Sequence, residues 1–269
     1  MGSKRLAQAL CNAQRGSRFF MSIQDLAIEL PAPKPLRLGE ASLFLDLDGT
    51  LAPIAARPQD VRPDPSRTCL LERLVDATDG RLAVVSGRAL CDVDRILEGC
   101  VVPVAAVHGL VMRDPLGRLI EAAPHPGLPR AVAELSAFAA RDSGLIVEDK
   151  GLSVALHFRL AAPYSDAARA FAREVAAGTG LALQEGDMVE ELRTPGPSKG
   201  DSVRRFMDMP PFAGAMPIFV GDDATDEDGF EAAGALGGMG VAVGRHRAVN
   251  AHYRLAGVEA ALAWLEAAL

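Results

Sequence analysis

Phe44-Leu45-Asp46-Leu47-Asp48-Gly49-Thr50-Leu51 is a short apolar run that ends in two aspartates, a glycine and a threonine. A run of this length reads as a buried strand, predicted over Ser42 to Leu47, and Gly49 ends it. Two carboxylates at the end of a buried strand are costly unless a cation or a reaction uses them. Similar chemistry returns at Val220-Gly221-Asp222-Asp223-Ala224-Thr225-Asp226-Glu227-Asp228, after another apolar run. The two clusters can meet only if a sheet brings the two strand ends together. They then form one acidic, oxygen-rich site.

Working outward from the first strand, a helix is predicted over Ser66 to Thr78. A second buried strand, Arg81 to Val85, stops at Ser86-Gly87-Arg88. A helix follows over Leu90 to Glu98, then a third strand over Val102 to Val107 that ends at His108-Gly109. This βαβαβ rhythm implies a parallel sheet with helices on both faces. Sites in such sheets form at the carboxyl ends of the strands, where polar and glycine residues stand here.

The rhythm changes near residue 120. A helix is expected from Pro129 to Arg141. A hairpin pairs Leu145–Glu148 with Leu152–Arg159 and turns at Asp149-Lys150-Gly151. A second helix covers Ser165 to Ala177, and a second hairpin, Leu181–Gln184 with Met188–Arg193, turns at Glu185-Gly186-Asp187. The order αββαββ describes a small antiparallel α+β unit inserted at 121–195. Alternation in the strand around Val154 puts Ser153, His157 and Arg159 on one face and the apolar residues against the helices. The parallel pattern resumes after the hinge Thr194-Pro195-Gly196-Pro197. Ser198 caps a helix over Lys199 to Met207, Pro217–Val220 and Met239–Val243 are strands, and Thr225 is expected to cap the next helix with Asp228 at its third position. A last helix, Val258 to Leu269, places Trp264 against the core. Residues 1–38 read as a helical arm or disordered leader, and 39–120 with 196–269 as the core.

The chain has 269 residues, nearly half apolar, and a net charge of −7 with no basic run, which argues against nucleic acid and anionic membranes as partners. No stretch reaches the length and apolarity of a spanning helix, and Met1–Phe20 lacks the apolar core of a secretory signal. Cys11, Cys69, Cys91 and Cys100 show no CxxC spacing and read as buried free thiols in a reducing cytoplasm. A monomer is expected.

Asp46, Asp48, Asp222, Asp223 and Asp226 would crowd one crevice. At an effective dielectric near 20, each like-charged pair about 4 Å apart costs roughly 4 kcal/mol, so several pairs rival the stability of a domain. A hard divalent cation removes that cost. Oxygen donors without Cys or His favour Mg²⁺, and a carboxylate beside Mg²⁺ suits phosphoryl transfer.

These motifs resemble the haloacid-dehalogenase superfamily, and within it the trehalose-phosphatase family. Asp46-Leu47-Asp48-Gly49-Thr50 matches the superfamily's DxDGT. Val84-Val85-Ser86-Gly87-Arg88 matches the strand ending in Ser or Thr, Lys199-Gly200 the lysine that opens a helix after the cap, and Gly221 to Glu227 the acidic motif in its GDDxTDE form. His108-Gly109, Glu148 to Arg159 and Gly186 to Arg193 are similar to the trehalose-phosphatase family. The resemblance covers about residues 40 to 250. It implies a Rossmann-like α/β core with an inserted αββαββ cap, and Mg²⁺-dependent hydrolysis of trehalose 6-phosphate through an aspartyl phosphate. It implies Asp46 as nucleophile and Asp48 as the acid and base. Asp46, the Asp48 carbonyl and Asp222 would be the metal ligands, with Asp223 or Asp226 in support. Ser86, Gly87, Gly49 and Lys199 would hold the phosphoryl group. Glu148, Lys150 and Glu191 would contact the sugar, joined by Arg88 and His157. Two departures stand out: Ser198 replaces the family's frequent Asp before the lysine, and Pro195-Gly196-Pro197 differs from the usual ending.

Bland readings stand beside several of these. Asp226 and Asp228 also suit a helix start, Arg88 also suits a structural ion pair, Glu148 and Lys150 also suit a turn, and His108 suits a packed core histidine. Other functions compatible with the same residues are a phosphatase for another sugar phosphate, a mutase, and a sugar-phosphate-binding protein without catalysis.

Overall fold

The computed structural model describes residues Leu30–Leu269, so most of the expected arm at 1–38 lies outside the described residues. In chain order the first part contains β1 (Ala41–Leu45), α1 (Pro65–Ala77), β2 (Leu82–Val85), α2 (Leu90–Leu97), β3 (Val104–Ala106), β4 (Val111–Arg113) and β5 (Leu119–Glu121). An inserted part follows with α3 (Leu128–Ala139), β6 (Ile146–Asp149), β7 (Ser153–His157), α4 (Ser165–Thr179), β8 (Ala182–Gly186) and β9 (Val189–Arg193). The chain then returns through α5 (Lys199–Met207), β10 (Met216–Gly221), α6 (Glu227–Ala235), β11 (Met239–Val243), β12 (Tyr253–Leu255) and α7 (Val258–Glu266).

The main sheet has the order β12-β11-β10-β1-β2-β3-β4-β5, parallel from β12 to β3 and antiparallel beyond. Strand β1 is central because all five of its residues are apolar or small and can be buried on both faces. Its alternation separates two layers. Leu43 and Leu45 join Leu71 and Leu74 of α1, Ile96 of α2 and Leu265 of α7. Phe44 points the other way, to Phe206 of α5 and Phe212, with ring centroids 6.0 and 5.5 Å away. The strand order reverses between β1 and β10, so a crevice opens at their carboxyl ends. Asp46 is the first residue beyond β1, and its backbone N–H donates to Val220 O at 2.9 Å. That bond sets the first acidic cluster beside the second.

The insert forms its own antiparallel sheet, β6-β7-β9-β8. Val154, Leu156, Phe158 and Leu192 pack under α3 and α4, while the other face, with His157 and Glu191, turns toward the crevice. The fold is therefore the expected α/β core with an αββαββ cap.

Several local expectations change. The hairpin β4–β5 and the edge strand β12 have no counterpart among the elements expected from sequence; each strand has only three residues, too few to show a period. The second cap hairpin turns at Asp187-Met188, not at Glu185-Gly186-Asp187, because Met188 adopts a positive φ of 59° and Gly186 remains in the strand. Asp223, not Thr225, caps the turn before α6. Its side chain accepts from the Thr225 N–H at 2.7 Å, and Asp226 completes the capping box. Cys69 and Cys91 are exposed and Cys100 is half-buried, unlike the buried thiols expected; Cys11 lies outside the described residues. Residues 30–37 run without helix along the core, where Pro31 O accepts from Arg254 N–H and Lys34 O from the Trp264 indole. Among the described residues no helix is long and apolar enough to cross a membrane.

Candidate active site

An open cleft with about 930 Å³ of empty space lies between the carboxyl ends of β1, β2 and β10 and the inner face of the cap sheet. Its floor holds Asp46, Asp48, Ser86, Gly87, Arg88, Lys199, Asp222 and Asp223, and its roof holds Glu148, Lys150, His157 and Glu191. Every side chain expected to contact phosphate, sugar or metal thus lines one cavity; Gly49 lies against its floor beside Asp222.

Lys199 opens α5, whose capping box of Ser198 and Asp201 fixes the first turn. Its ammonium is buried and donates to Asp46 at 2.8 Å and to Asp226 at 2.6 Å. Burial alone would lower its pKa, but the Asp226 and Asp46 carboxylates hold it well above the ordinary value. Asp226 acts on the floor indirectly. Its second oxygen accepts from the backbone N–H groups of Asp222 and Asp223 at 2.8 and 3.1 Å, so it shapes the loop that presents Asp222.

Asp46 is pushed well above the carboxylate range by burial, with the Asp226 and Asp222 charges adding to it against Lys199. Asp222 is pushed up to about 8 by burial and by the neighbouring carboxylates of Asp226 and Asp223. Asp46, Asp222 and Asp226 each offer an oxygen within 4.8 Å of the others. With Asp226 occupied by Lys199 and two backbone donors, Asp46 and Asp222 are the carboxylates left to face a cation. An all-oxygen, crowded, partly buried donor set fits a hard divalent cation. Gly49 lets the floor close up: its φ is +81°, and an added Cβ would lie 1.9 Å from an Asp222 oxygen.

On the roof, Lys150 donates to Glu191 at 2.7 Å and reaches across to the Gly87 carbonyl of the core at 2.8 Å. His157 pairs with Glu148 at 2.9 Å. Glu191 is buried; burial would raise its pKa, but Lys150 and His108 hold it well below the ordinary value. Its other oxygen, Oε1, has no hydrogen-bond partner and is a free acceptor in the roof. Arg159 pairs with Asp187 at the cleft mouth.

His108, expected from sequence to be a packed or hydrogen-bonded core histidine, is buried and hydrogen-bonded, and it also lines the cleft and joins core to cap. Its ring lies 3.3 Å from Glu191 and 2.9 Å from the Gln184 amide, and its φ is +56°. The ring also fills the space beside Gly87, where an added Cβ would sit 2.4 Å away. Burial lowers its pKa against the opposing pull of Glu191, with Lys199 and Lys150 adding to the lowering. The unfolded chain takes up a proton below about pH 6.5 that the folded chain refuses. His108's contribution to stability is therefore full above that pH and is lost as pH falls from there through the folded value, by at most about 1.4 kcal/mol per pH unit. The raised Asp222 and Asp46 carboxyls act with the opposite sign in the same window, so the His108 contribution is read as the difference in thermal unfolding between the wild type and His108→Asn from about pH 7.5 to pH 5. Asn suits the positive φ, and the variant should lack that contribution.

The solved structure of a trehalose-6-phosphate phosphatase related protein superposes with a TM-score of 0.71 at 27% identity, covering 83% of this chain and 95% of that one. The C-terminal domain of the Candida albicans trehalose-6-phosphate phosphatase superposes with a TM-score of 0.79 at 20% identity over 89% and 98%, a likeness of fold. The fold is of the haloacid-dehalogenase type, and its relatives make the chain a phosphoric monoester hydrolase. A family model described as trehalose-phosphatase matches residues 44–259. A probable trehalose-phosphate phosphatase of Sinorhizobium fredii is 41% identical over 206 residues, 76% of this chain and 77% of that one. The trehalose-6-phosphate phosphatase of Escherichia coli K12 is 38% identical over 225 residues, 83% and 84% of the two chains. The chain belongs to the trehalose-phosphatase family.

Proposed function

We propose that the protein hydrolyses trehalose 6-phosphate to trehalose and inorganic phosphate through an aspartyl phosphate on Asp46, with Mg²⁺ in the acidic floor. The observation that carries this reading is the facing of two sets of groups across one cleft: Asp46 with Lys199 at 2.8 Å on the floor, and Glu148, Lys150, His157 and Glu191 on the roof. The floor suits a phosphoryl group, and the roof suits a surface of hydroxyls, each of which needs a partner when water is excluded.

In the first step an Asp46 oxygen attacks phosphorus, and the bond from phosphorus to the sugar oxygen breaks. Asp48 gives that oxygen its proton. In the second step Asp48 takes a proton from water, the water oxygen attacks phosphorus, and the bond to Asp46 breaks, releasing phosphate. Lys199 neutralises charge at Asp46 and the phosphoryl oxygens, and the Ser86-Gly87 turn and Gly49 supply close backbone approach. The Asp46 and Asp222 carboxylates with the Asp48 carbonyl would hold Mg²⁺, which when bound supplies charge neutralisation at the phosphoryl group. The cap encloses the sugar and excludes bulk water. The region 121–195 serves as the specificity domain and 39–120 with 196–269 as the catalytic core.

Phosphate release from trehalose 6-phosphate, sucrose 6-phosphate and glucose 6-phosphate, with and without Mg²⁺, tests the proposal. The expected result is selective, Mg²⁺-dependent release from the trehalose ester. Release only from the other esters would overturn the substrate, and release from none would overturn the catalytic reading.

A further inference from the structure

Arg88 is committed to another residue of the floor. Its Nε donates to one oxygen of Asp48 at 2.6 Å and its Nη2 to the other at 2.8 Å, while Nη1 donates to Pro58 O at 2.9 Å. The Arg88 side chain is 8% exposed and that of Asp48 34%. Three of the five guanidinium N–H groups, including one whole edge of the fork, are therefore engaged inside the protein.

The geometry points to Arg88 as the positioning residue for the Asp48 acid and base, not a sugar ligand. This deepens the proposed phosphatase reading and rests on it, in that Asp48 must serve as acid and base; it does not depend on which sugar is bound.

Asp48 sits on a turn beyond β1 in which the Gly49 N–H donates to Ala52 O at 2.7 Å. That turn fixes the Asp48 backbone but not its side chain, which is half-exposed and has no other side-chain partner among the described residues. A free carboxylate there would sample several rotamers in water. A planar fork on both oxygens fixes the plane and the reach of the carboxylate together, which a point charge could not do. Arg88 is itself fixed from the opposite side. Its N–H donates to the Ser86 hydroxyl at 3.2 Å, and its carbonyl accepts from the Val107 N–H at 2.9 Å. Val107 takes a φ of +47°, a conformation rare for a β-branched residue. One rigid turn, Ser86-Gly87-Arg88, thus carries both the hydroxyl that faces the phosphoryl group and the fork that aims the proton donor. During proton transfer one Asp48 oxygen leaves the fork for the sugar oxygen, and the other stays on it as the pivot.

The test uses the full chain with Mg²⁺. Arg88→Ala should lower kcat for trehalose 6-phosphate by about 10²-fold, with KM changed by less than about threefold. The first-turnover release of p-nitrophenol from p-nitrophenyl phosphate, whose leaving group needs no proton, should fall by less than about fivefold. Guanidinium ion at millimolar concentration should restore part of the lost kcat. The double variant Arg88→Ala with Asp48→Asn should be no slower than Asp48→Asn alone. Arg88→Lys, with charge but no fork, should resemble Arg88→Ala and serves if the alanine variant does not fold. A KM raised about tenfold or more with kcat intact would make Arg88 a sugar ligand and overturn the proposal. Equal losses on both esters, additive with Asp48→Asn and unresponsive to guanidinium, would overturn it in favour of a purely structural role. If the wild type acts on glucose 6-phosphate but not on the trehalose ester, the substrate reading fails alone and the Arg88 variants are read on glucose 6-phosphate.

Discussion

Asp46→Asn should lower turnover by at least about 10⁴-fold while leaving the protein folded. The amide cannot form an acyl phosphate, and the neighbouring carboxylates among the described residues are committed elsewhere, Asp222 being the one left to face a cation. Asp226 is held by Lys199 and two backbone N–H groups, and Asp48 lies in the Arg88 fork. The fold should survive because the substitution is nearly isosteric and removes a buried charge that burial, Asp226 and Asp222 all disfavour. Lys199 keeps its shorter bond, to Asp226 at 2.6 Å. Thermal unfolding without metal should therefore show an unchanged or higher midpoint, alongside phosphate release near the blank. Turnover above about one per cent of the wild type would remove Asp46 from the nucleophile role.

Lys199→Ala should have the largest effect on stability of any single change in the site. Its ammonium is 3% exposed and bridges two carboxylates that are 6% and 0% exposed. Removing one partner of a buried ion pair leaves the others uncompensated, which costs about 3–5 kcal/mol. Here two acids are left facing each other, with Asp222 beside them. The loss should be smaller in the presence of Mg²⁺, because the cation would replace part of the missing positive charge. Turnover should fall with it, since Lys199 donates directly to the carboxylate of Asp46, the proposed nucleophile. Urea unfolding with and without Mg²⁺ measures both effects. A destabilisation below about 1 kcal/mol without metal would mean that the site tolerates the crowded carboxylates, contrary to the repulsion expected of like charges in a buried crevice.

Much of this site is legible by residue type. Apolar runs closed by Gly49, Ser86 and Gly221 announce strand ends, and Ser198 with Asp201 announces the start of the helix that carries Lys199. The β1, α5 and β11 segments fall close to expectation because each is a short apolar run with a clear stop or a helix with a clear cap. The shifted cap hairpin and the Asp223 cap show the limit of that signal. In each, two neighbouring residues could take the same turn role and residue type does not choose between them: Asp223 takes it by accepting from Thr225 two residues on, and Met188 by adopting the positive φ.

The pairings are not legible in the same way; the resemblance alone implied one of them, Lys199 with Asp46. Arg88 and Asp48 are separated by 40 residues, Lys150 and Gly87 by 63, and Lys199 and Asp46 by 153. Nothing in a local window links them. The role of His108 is hidden for the same reason, since it comes from Gln184 and Glu191, which reach it only when the cap sheet lies over the crevice. By itself the sequence determined the longer strands, the Ser198 cap, the acidic chemistry and the insertion of a second small unit, because these follow from interactions among residues a few positions apart. Only the tertiary structure decided which charge meets which. The strand order β10-β1-β2 and the cap above it set those distances, and in a low-dielectric crevice a few ångströms separate a partner from a bystander.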